Sequence, residues 1–590
     1  MPACAGRHAM ARVHGGEMIA RVLATAGVRE LFTLHGGHID PILEACDRLG
    51  FRIVDTRHEQ AAAHMADGWA RTTGRLGVCA VTAGPGVTDA VTGVANAFMD
   101  CVPMLVLGGR SPLRDDDTLP LQGFPQLEMM RPITKWARCV YHPERIPEYV
   151  AMAIRQATTG RPGPVYLEVP IDVLFASCDE EQVVWPQQLR PEHPPAPRPE
   201  AVEAVLDLLE KAERPVILAG GGVWFSGGAD LLRELAEVTS VPVFMNVKAR
   251  GAVPEDTPLG YGGFGIFSSG LVQREVGPAD LVLVLGARLG LFTGGRRQSV
   301  IPPSATVVQV DIEGEEIGRN RDVQVGIEAD CREFLRLLVE GARRRRWPER
   351  SRWLDVLQQA QRERQQAFAQ ALERDDVPIH PFRLAHELAQ RLGPDDVVVA
   401  DGGEAASWIA DAVAMRRPGR FLSHGYLGCL GVGLPFAAAC KLAHPESRVL
   451  LVTGDGSVGL NFAEFHTAVR HGLPFACVIF NDKAWGMSRH GQQIMFRGRT
   501  IATDLGLVHY EKAAAGFGVH PELVTRPQEI GPALERAYAT GQVACINALI
   551  DPEVVAPVTL AMMGLPAAPR PERTTDEGKT VLPYYGQREL

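Results

Sequence analysis

No run of about 18 uncharged apolar residues occurs in the chain, so no membrane-spanning helix is expected. The first residues, "MPACAGRHAMARVHGG", lack an apolar core of signal-peptide length, and the expectation is a cytoplasmic protein. Positive charge is not in surplus either. Sixty Lys and Arg stand against 70 Asp and Glu, for a net charge of −10, and the two signs are interspersed. That argues against a nucleic-acid surface and leaves small molecules as the expected partners. The eleven cysteines form no CxxC and their total is odd. Cys79, Cys101, Cys429 and Cys477 each sit alone in apolar sequence, the pattern of core residues in a reducing compartment.

What the chain has is apolar residues, 46% of 590, enough for about three cores. Short apolar runs alternate with amphipathic helical patterns, which predicts an α/β protein whose domains each carry a mostly parallel sheet flanked by helices. "WPQQLRPEHPPAPRPE" is too rich in proline for helix or strand and reads as a linker. "EGARRRRWPERSRW", with the charged helical stretch after it, reads as a second connector. The expected units are 11–185, 200–340 and 376–555, followed by a tail, 556–590. The first and third share glycine-rich strand ends placed before helices.

The chemistry is concentrated in "LVTGDGSVGLNFAEFHTAVRHGLPFACVIFNDKAWGM". A strand is expected to break at Gly454, a helix to close at Gly472, and "FACVIFND" to form the next parallel strand. In such a βαβ unit both polar turns lie at carboxyl ends of strands, where open α/β sheets bind ligands. Asp455 and Asp482 would then approach one another amid bare glycine backbone. Such oxygen ligands suit Mg²⁺ carrying a diphosphate. Gly456 and Ser457 open a helix whose N-terminus favours the same anion.

A GDG turn followed, one helix and one strand later, by Asn-Asp and then Gly-Met resembles the thiamine diphosphate motif of the pyruvate decarboxylase and acetolactate synthase superfamily. The resemblance implies a pyrimidine-binding first domain, a central domain and a diphosphate-binding third domain. It also implies metal ligation by Asp455, Asp482 and the carbonyl of Ala484. Asp482 departs from the family's usual Asn but remains a hard oxygen ligand, so Mg²⁺ binding is expected to survive. Gly402, Gly403, Gly454, Gly456, Ser457 and Met487 are implied cofactor contacts. Glu59, in "DTRHEQAAAH", matches the glutamate that exchanges a proton with N1′ of the aminopyrimidine. The family's active sites lie between the first domain of one chain and the third of another, so a homodimer or homotetramer is expected.

Within the superfamily, "LFTLHGGHID", "DTRHEQAAAH", "PITKWA", "FLSHGYLG" and "LVTGDGSVG" resemble the branch of 2-hydroxyacyl-CoA lyases, benzaldehyde lyases and oxalyl-CoA decarboxylases. Carried over by motif, His38 and Gln122 face the substrate hydroxyl, with His35 a further catalytic candidate. Leu430 wedges the cofactor into its V shape, and the Gly428 carbonyl accepts from the 4′-amine. Ile171 and Ala406 replace two aromatic walls of the benzaldehyde lyase pocket, which weakens the case for stacking a benzene ring. Lys579, Tyr584, Tyr585 and Arg588 in the tail resemble the lid that closes on CoA thioesters. In the central domain Gly220 to Gly222 fail the G-x-G-x-x-G pattern, so NAD is not expected. The resemblance leaves ADP open there, as some relatives bind it.

The expected reaction is cleavage of a 2-hydroxyacyl-CoA to formyl-CoA plus an aldehyde or ketone, reversible as an acyloin-type condensation. Cleavage of free acyloins is the nearest alternative, ahead of oxalyl-CoA decarboxylase and acetolactate synthase activities. A non-catalytic nucleotide-binding regulator on the same fold is disfavoured by the retention of Glu59 with the full metal motif.

Overall fold

The computed structural model describes residues 12–263, 278–293, 301–565, 581–582 and 586–587. The tail residues Lys579, Tyr584, Tyr585 and Arg588 lie outside them. The chain divides into two compact units, one formed by residues 1–70 and 75–192, the other by 71–74 and 193–590.

The first unit is built on a six-stranded sheet, all parallel, from Glu30–Leu34, Arg52–Asp55, Gly77–Val81, Met104–Arg110, Trp136–Cys139 and Pro164–Pro170. Numbered in chain order, these strands lie side by side as 2-1-3-4-6-5. The inner strands are apolar along their whole length because helices cover both faces; every residue of Gly77–Val81 and of Pro164–Pro170 is buried.

One of those residues is a carboxylate. Burial pushes Glu168 up to about 7, and the Arg110 guanidinium 3.7 Å away only partly opposes this because it also binds Asp116 at 2.7 Å. A carboxyl whose folded pKa lies above its ordinary 4.5 gives stability that is complete at low pH and lost as pH rises through about 7. That loss is on the order of 3 kcal/mol. Glu168→Gln is therefore expected to gain on wild type, in melting temperature, between about pH 5 and about pH 8. A wild-type-minus-variant difference that stays constant over that range would contradict the buried proton.

The second unit carries two more six-stranded parallel sheets. The central one, from Pro215–Ala219, Val243–Met245, Gly260–Gly262, Leu281–Leu285, Thr306–Asp311 and Val325–Glu328, has the order 3-2-1-4-5-6 familiar from dinucleotide-binding folds. The charged helix Ser351–Ala367, expected as part of a connector, packs on this domain. Its Trp353 is buried and donates Nε1–H to the Pro215 carbonyl at 3.1 Å, and Arg350 just before it donates to the Thr239 carbonyl at 2.7 Å.

The last sheet comprises Val397–Ala400, Phe421–Ser423, Val449–Gly454, Ala476–Asn481, His520–Val524 and Ala544–Leu549. Its order is again 2-1-3-4-6-5. The likeness of glycine-rich strand ends between the first and last domains thus extends to their topology. In both, the order reverses between strands 1 and 3, and at such a switch point the connections leave to opposite sides and open a crevice at the carboxyl ends. Three parallel sheets flanked by helices agree with the α/β architecture expected. Among the described residues no helix is long and apolar enough to cross a membrane.

Candidate active site

In the last sheet the reversal falls between Val397–Ala400 and Val449–Gly454, so the turns after these strands face one crevice. A cavity of about 490 Å³ occupies it. The metal candidates Asp455, Asp482 and Ala484 line this cavity, together with Gly402, Gly403, Gly428, Leu430, Gly454, Gly456, Ser457 and Met487. Eleven positions chosen from separate motifs are therefore brought together.

The glycines are there for room. Gly402 has φ +99°, and a Cβ on it would sit 3.0 Å from Ser457 Oγ. A Cβ on Gly403 would sit 3.0 Å from Met487 Sδ, and one on Gly456 2.6 Å from the Trp485 ring. A side chain at Gly486 would run into the Asp482 carboxylate. The backbone here lies bare toward the cavity.

Asp455 opens the helix Asp455–Leu460 directly after its strand, one residue earlier than the sequence suggested. Its Oδ1 accepts from the Gly456 N–H at 3.0 Å, while its Oδ2 is buried and no donor among the described residues reaches it. Asp482 follows the strand Ala476–Asn481, and its Oδ1 accepts from the Ala484 N–H at 3.2 Å. Burial first, and then the neighbouring Asp482 charge, push Asp455 to about 8; burial also raises Asp482. A buried carboxylate with an orphaned oxygen, its charge disfavoured by a half-buried carboxylate beside it, fits a divalent cation.

Two residues that the motifs did not single out organise this site. Asp401, buried at the end of its strand, accepts from the N–H groups of Gly431 and Gly433 at 3.2 and 3.1 Å and from Thr453 Oγ1 at 3.4 Å. It thereby ties the segment carrying Gly428 and Leu430 to the two turns of the crevice. Glu404, in the cavity wall, binds His490 Nδ1 at 2.9 Å and accepts from Thr559 Oγ1 at 2.5 Å. A polar residue ending an apolar strand before a double glycine was the available signal for Asp401. Glu404 gave none, because His490 and Thr559 are remote in sequence.

In the first unit the strand order reverses between Glu30–Leu34 and Gly77–Val81, the position at which such sheets bind ligands. His38 sits in the short helical turn Gly37–Ile39, its Nδ1 3.3 Å from Thr82 Oγ1. Burial lowers its pKa, so the imidazole is neutral at pH 7. Gln122 has φ +61° and lies against Gly84, whose Cβ, if present, would be 2.9 Å from that of Gln122. His35 is not drawn into this group: its side chain is 70% exposed and pairs with Asp40 at 2.8 Å.

Glu59 begins the helix Glu59–Thr73 and is 8% exposed. Burial raises its pKa, the Asp89 charge adds to this and His58 opposes it, the ligand atoms of all three lying within 4.8 Å of one another. Ile171 opens the helix Ile171–Phe175. Ala406 lies in the hydrophobic core of the last domain, 7% exposed, and not among the residues lining the cavity.

A crevice at a sheet's switch point, with bare glycine turns and paired carboxylates, defines a class of site suited to a metal-borne diphosphate. Comparison with known proteins agrees. Residues 13–130 match the thiamine pyrophosphate enzyme N-terminal TPP binding domain, 202–338 its central domain and 401–548 its C-terminal TPP binding domain. Acetolactate synthase large subunit IlvG of Mycobacterium tuberculosis is 34% identical over 551 residues, 92% of this chain and 97% of the relative. 2-Hydroxyacyl-CoA lyase 2 of Bos taurus is 34% identical over 556 residues, 88% of this chain and 86% of the relative. Its Homo sapiens counterpart is 33% identical over 560 residues. The chain belongs to the thiamine pyrophosphate enzyme family and is a thiamine diphosphate-dependent enzyme, as its motifs implied.

Proposed function

We propose that this enzyme is a 2-hydroxyacyl-CoA lyase, cleaving the C1–C2 bond to release formyl-CoA and an aldehyde or ketone, and running in reverse as a carboligase. The observation that carries the choice is the charge of the cavity wall. Among the described residues it bears four carboxylates, Glu404, Asp455, Asp482 and Asp551, and no Lys or Arg. A 2-keto acid brings to the reacting centre a free carboxylate that a Lys or Arg would favour, and beyond the proposed metal ligands Asp455 and Asp482 the wall adds only further negative charge; a thioester carries no charge at that carbon. The same feature weighs against oxalyl-CoA decarboxylation.

In this reading Asp455, Asp482 and the Ala484 carbonyl hold Mg²⁺. Gly402, Gly403, Gly454, Gly456 and Ser457 receive the diphosphate. Leu430 and Met487 would pack against the cofactor's rings and the Gly428 carbonyl would accept from its amine. Bound thiamine diphosphate supplies a carbon nucleophile and an electron sink for the bond that breaks. Glu59 exchanges a proton with the aminopyrimidine N1′. His38, neutral and oriented by Thr82, takes the proton of the substrate hydroxyl, and Gln122 hydrogen-bonds the same oxygen. His35 is a lesser catalytic candidate. Ile171 is proposed to bear on the acceptor pocket, Ala406 is left to the core, and the tail is proposed to close on the CoA moiety. The proposal includes a homodimer or homotetramer and does not extend to ADP.

A second reading is favoured by equal sequence identity, since the acetolactate synthases resemble the chain as much as the lyases do. A third, of benzaldehyde lyase type, rests on the motif resemblance alone. One experiment separates them: enzyme loaded with thiamine diphosphate and Mg²⁺ is given a 2-hydroxyacyl-CoA, pyruvate and benzoin in parallel. Formyl-CoA from the thioester is expected. Acetolactate from pyruvate, or benzaldehyde from benzoin, with no formyl-CoA would overturn the proposal.

A further inference from the structure

Gln126 has no task in the mechanism above, yet it is 1% exposed and its side-chain amide is fully used. Oε1 accepts from the Gly84 N–H at 3.0 Å, and Nε2 donates to the Gly109 carbonyl at 2.6 Å and to Tyr166 Oη at 2.9 Å. The two glycines stand at neighbouring strands of the first sheet: Gly84 lies in the turn after Gly77–Val81, and Gly109 near the end of Met104–Arg110.

Each glycine backs one of the polar side chains proposed to meet substrate. A Cβ on Gly84 would come 2.9 Å from Gln122 Cβ, and one on Gly109 2.6 Å from His38 Cβ. His38 and Gln122 therefore rest directly on two stretches of backbone whose separation a single planar amide spans. Tyr166, fully buried from the adjacent strand, packs under Gly108 and fixes the amide's third bond. An amide is suited to this: one acceptor and two donors at set angles, where Glu would lack both donors and Leu all three bonds.

We infer that Gln126 is a positioning residue that sets the spacing of His38 and Gln122 by bracing the glycine backbones on which they lie. The inference rests on the proposed substrate contact of those two side chains. Misplacing reacting groups by about 1 Å costs on the order of 100-fold in rate. Gln126→Leu is accordingly expected to lower kcat/KM for the 2-hydroxyacyl-CoA by about 30- to 100-fold, with cofactor and Mg²⁺ affinities within about threefold of wild type.

The deciding test is a double-mutant cycle with His38→Ala and Gln122→Ala, read in kcat/KM at saturating cofactor. Once both side chains are gone, removing Gln126 should cost less than about threefold further. Strong losses in the His38 and Gln122 variants that multiply fully with that of Gln126→Leu would overturn the positioning role alone. Wild-type activity in both His38→Ala and Gln122→Ala would overturn the substrate-contact reading, and the inference with it. Cofactor affinity falling in step with activity in Gln126→Leu would mark general damage and also overturn it. Tyr166→Phe, which deletes only one partner of the amide and keeps the ring, serves if Gln126→Leu does not fold. A loss of about 3- to 10-fold with the same non-multiplicative pattern is then expected, and a fully multiplicative one overturns the role.

Discussion

Asp455→Ala is expected to lower the apparent affinities for Mg²⁺ and thiamine diphosphate together, by about 100-fold or more, and to remove activity at ordinary cofactor concentrations. The buried Oδ2 of Asp455 has no donor of its own among the described residues. In the metal-free protein this is costly: burial and the adjacent Asp482 hold the Asp455 carboxyl protonated up to about 8. The sign follows. A carboxyl raised from 3.8 in this way loses folding stability as pH climbs toward about 8, and a divalent cation, which needs the carboxylate, binds more tightly over the same interval. Mg²⁺ affinity measured by calorimetry should therefore rise with pH in wild type and be weak and flat in Asp455→Ala. Asp482→Asn keeps an oxygen ligand and removes the like charge, so affinity should stay within about tenfold while its onset moves to lower pH. Equal Mg²⁺ affinities in wild type and Asp455→Ala would remove the metal site from this crevice.

How much of this could be read beforehand depended on how far the partners lie apart in the chain. The strand–turn–helix–strand around Asp455 and Asp482 is local. Its apolar runs, glycines and polar turn residues sit within one βαβ unit, and periodicity alone places them at strand ends. The shared strand order of the first and last sheets is not local. It depends on which strand inserts beside which, so composition hinted at kinship without giving the 2-1-3-4-6-5 order. Gln126 shows the same limit at the level of one side chain. It stands four residues from Gln122, which the motif singled out, but its own partners are 17, 40 and 42 residues away. Asp401 is similar, bonded to groups 30, 32 and 52 residues downstream. Neither residue type is unusual where it stands, and only the assembled turns give it a purpose. The charged helix Ser351–Ala367 failed differently: its polar composition suggested a connector, while a few apolar residues, Trp353 and Leu357 among them, are enough to seat it on the central sheet.

Glu59→Gln is expected to lower kcat by about 100- to 10,000-fold while leaving thiamine diphosphate and Mg²⁺ bound. The two effects separate because binding energy comes mainly from the diphosphate and the metal, whereas Glu59 is proposed to act only through proton exchange with a ring nitrogen. Its setting suits that task. Burial raises its pKa, so the carboxyl gives up its proton less readily than an exposed one and can return it when needed. Gln keeps the shape and loses only the exchangeable acid. Folding should not suffer, because a neutral amide at this position avoids the desolvation that disfavours the carboxylate. The informative set is kcat, cofactor affinity by calorimetry and melting temperature on the same preparations. Activity within about tenfold of wild type would remove Glu59 from the chemistry, given that a positioned proton carrier contributes at least about 100-fold. A fall in cofactor affinity matching the fall in kcat would instead make it a binding residue. A lowered melting temperature with both would return it to the ordinary role of a negative charge at a helix N-terminus.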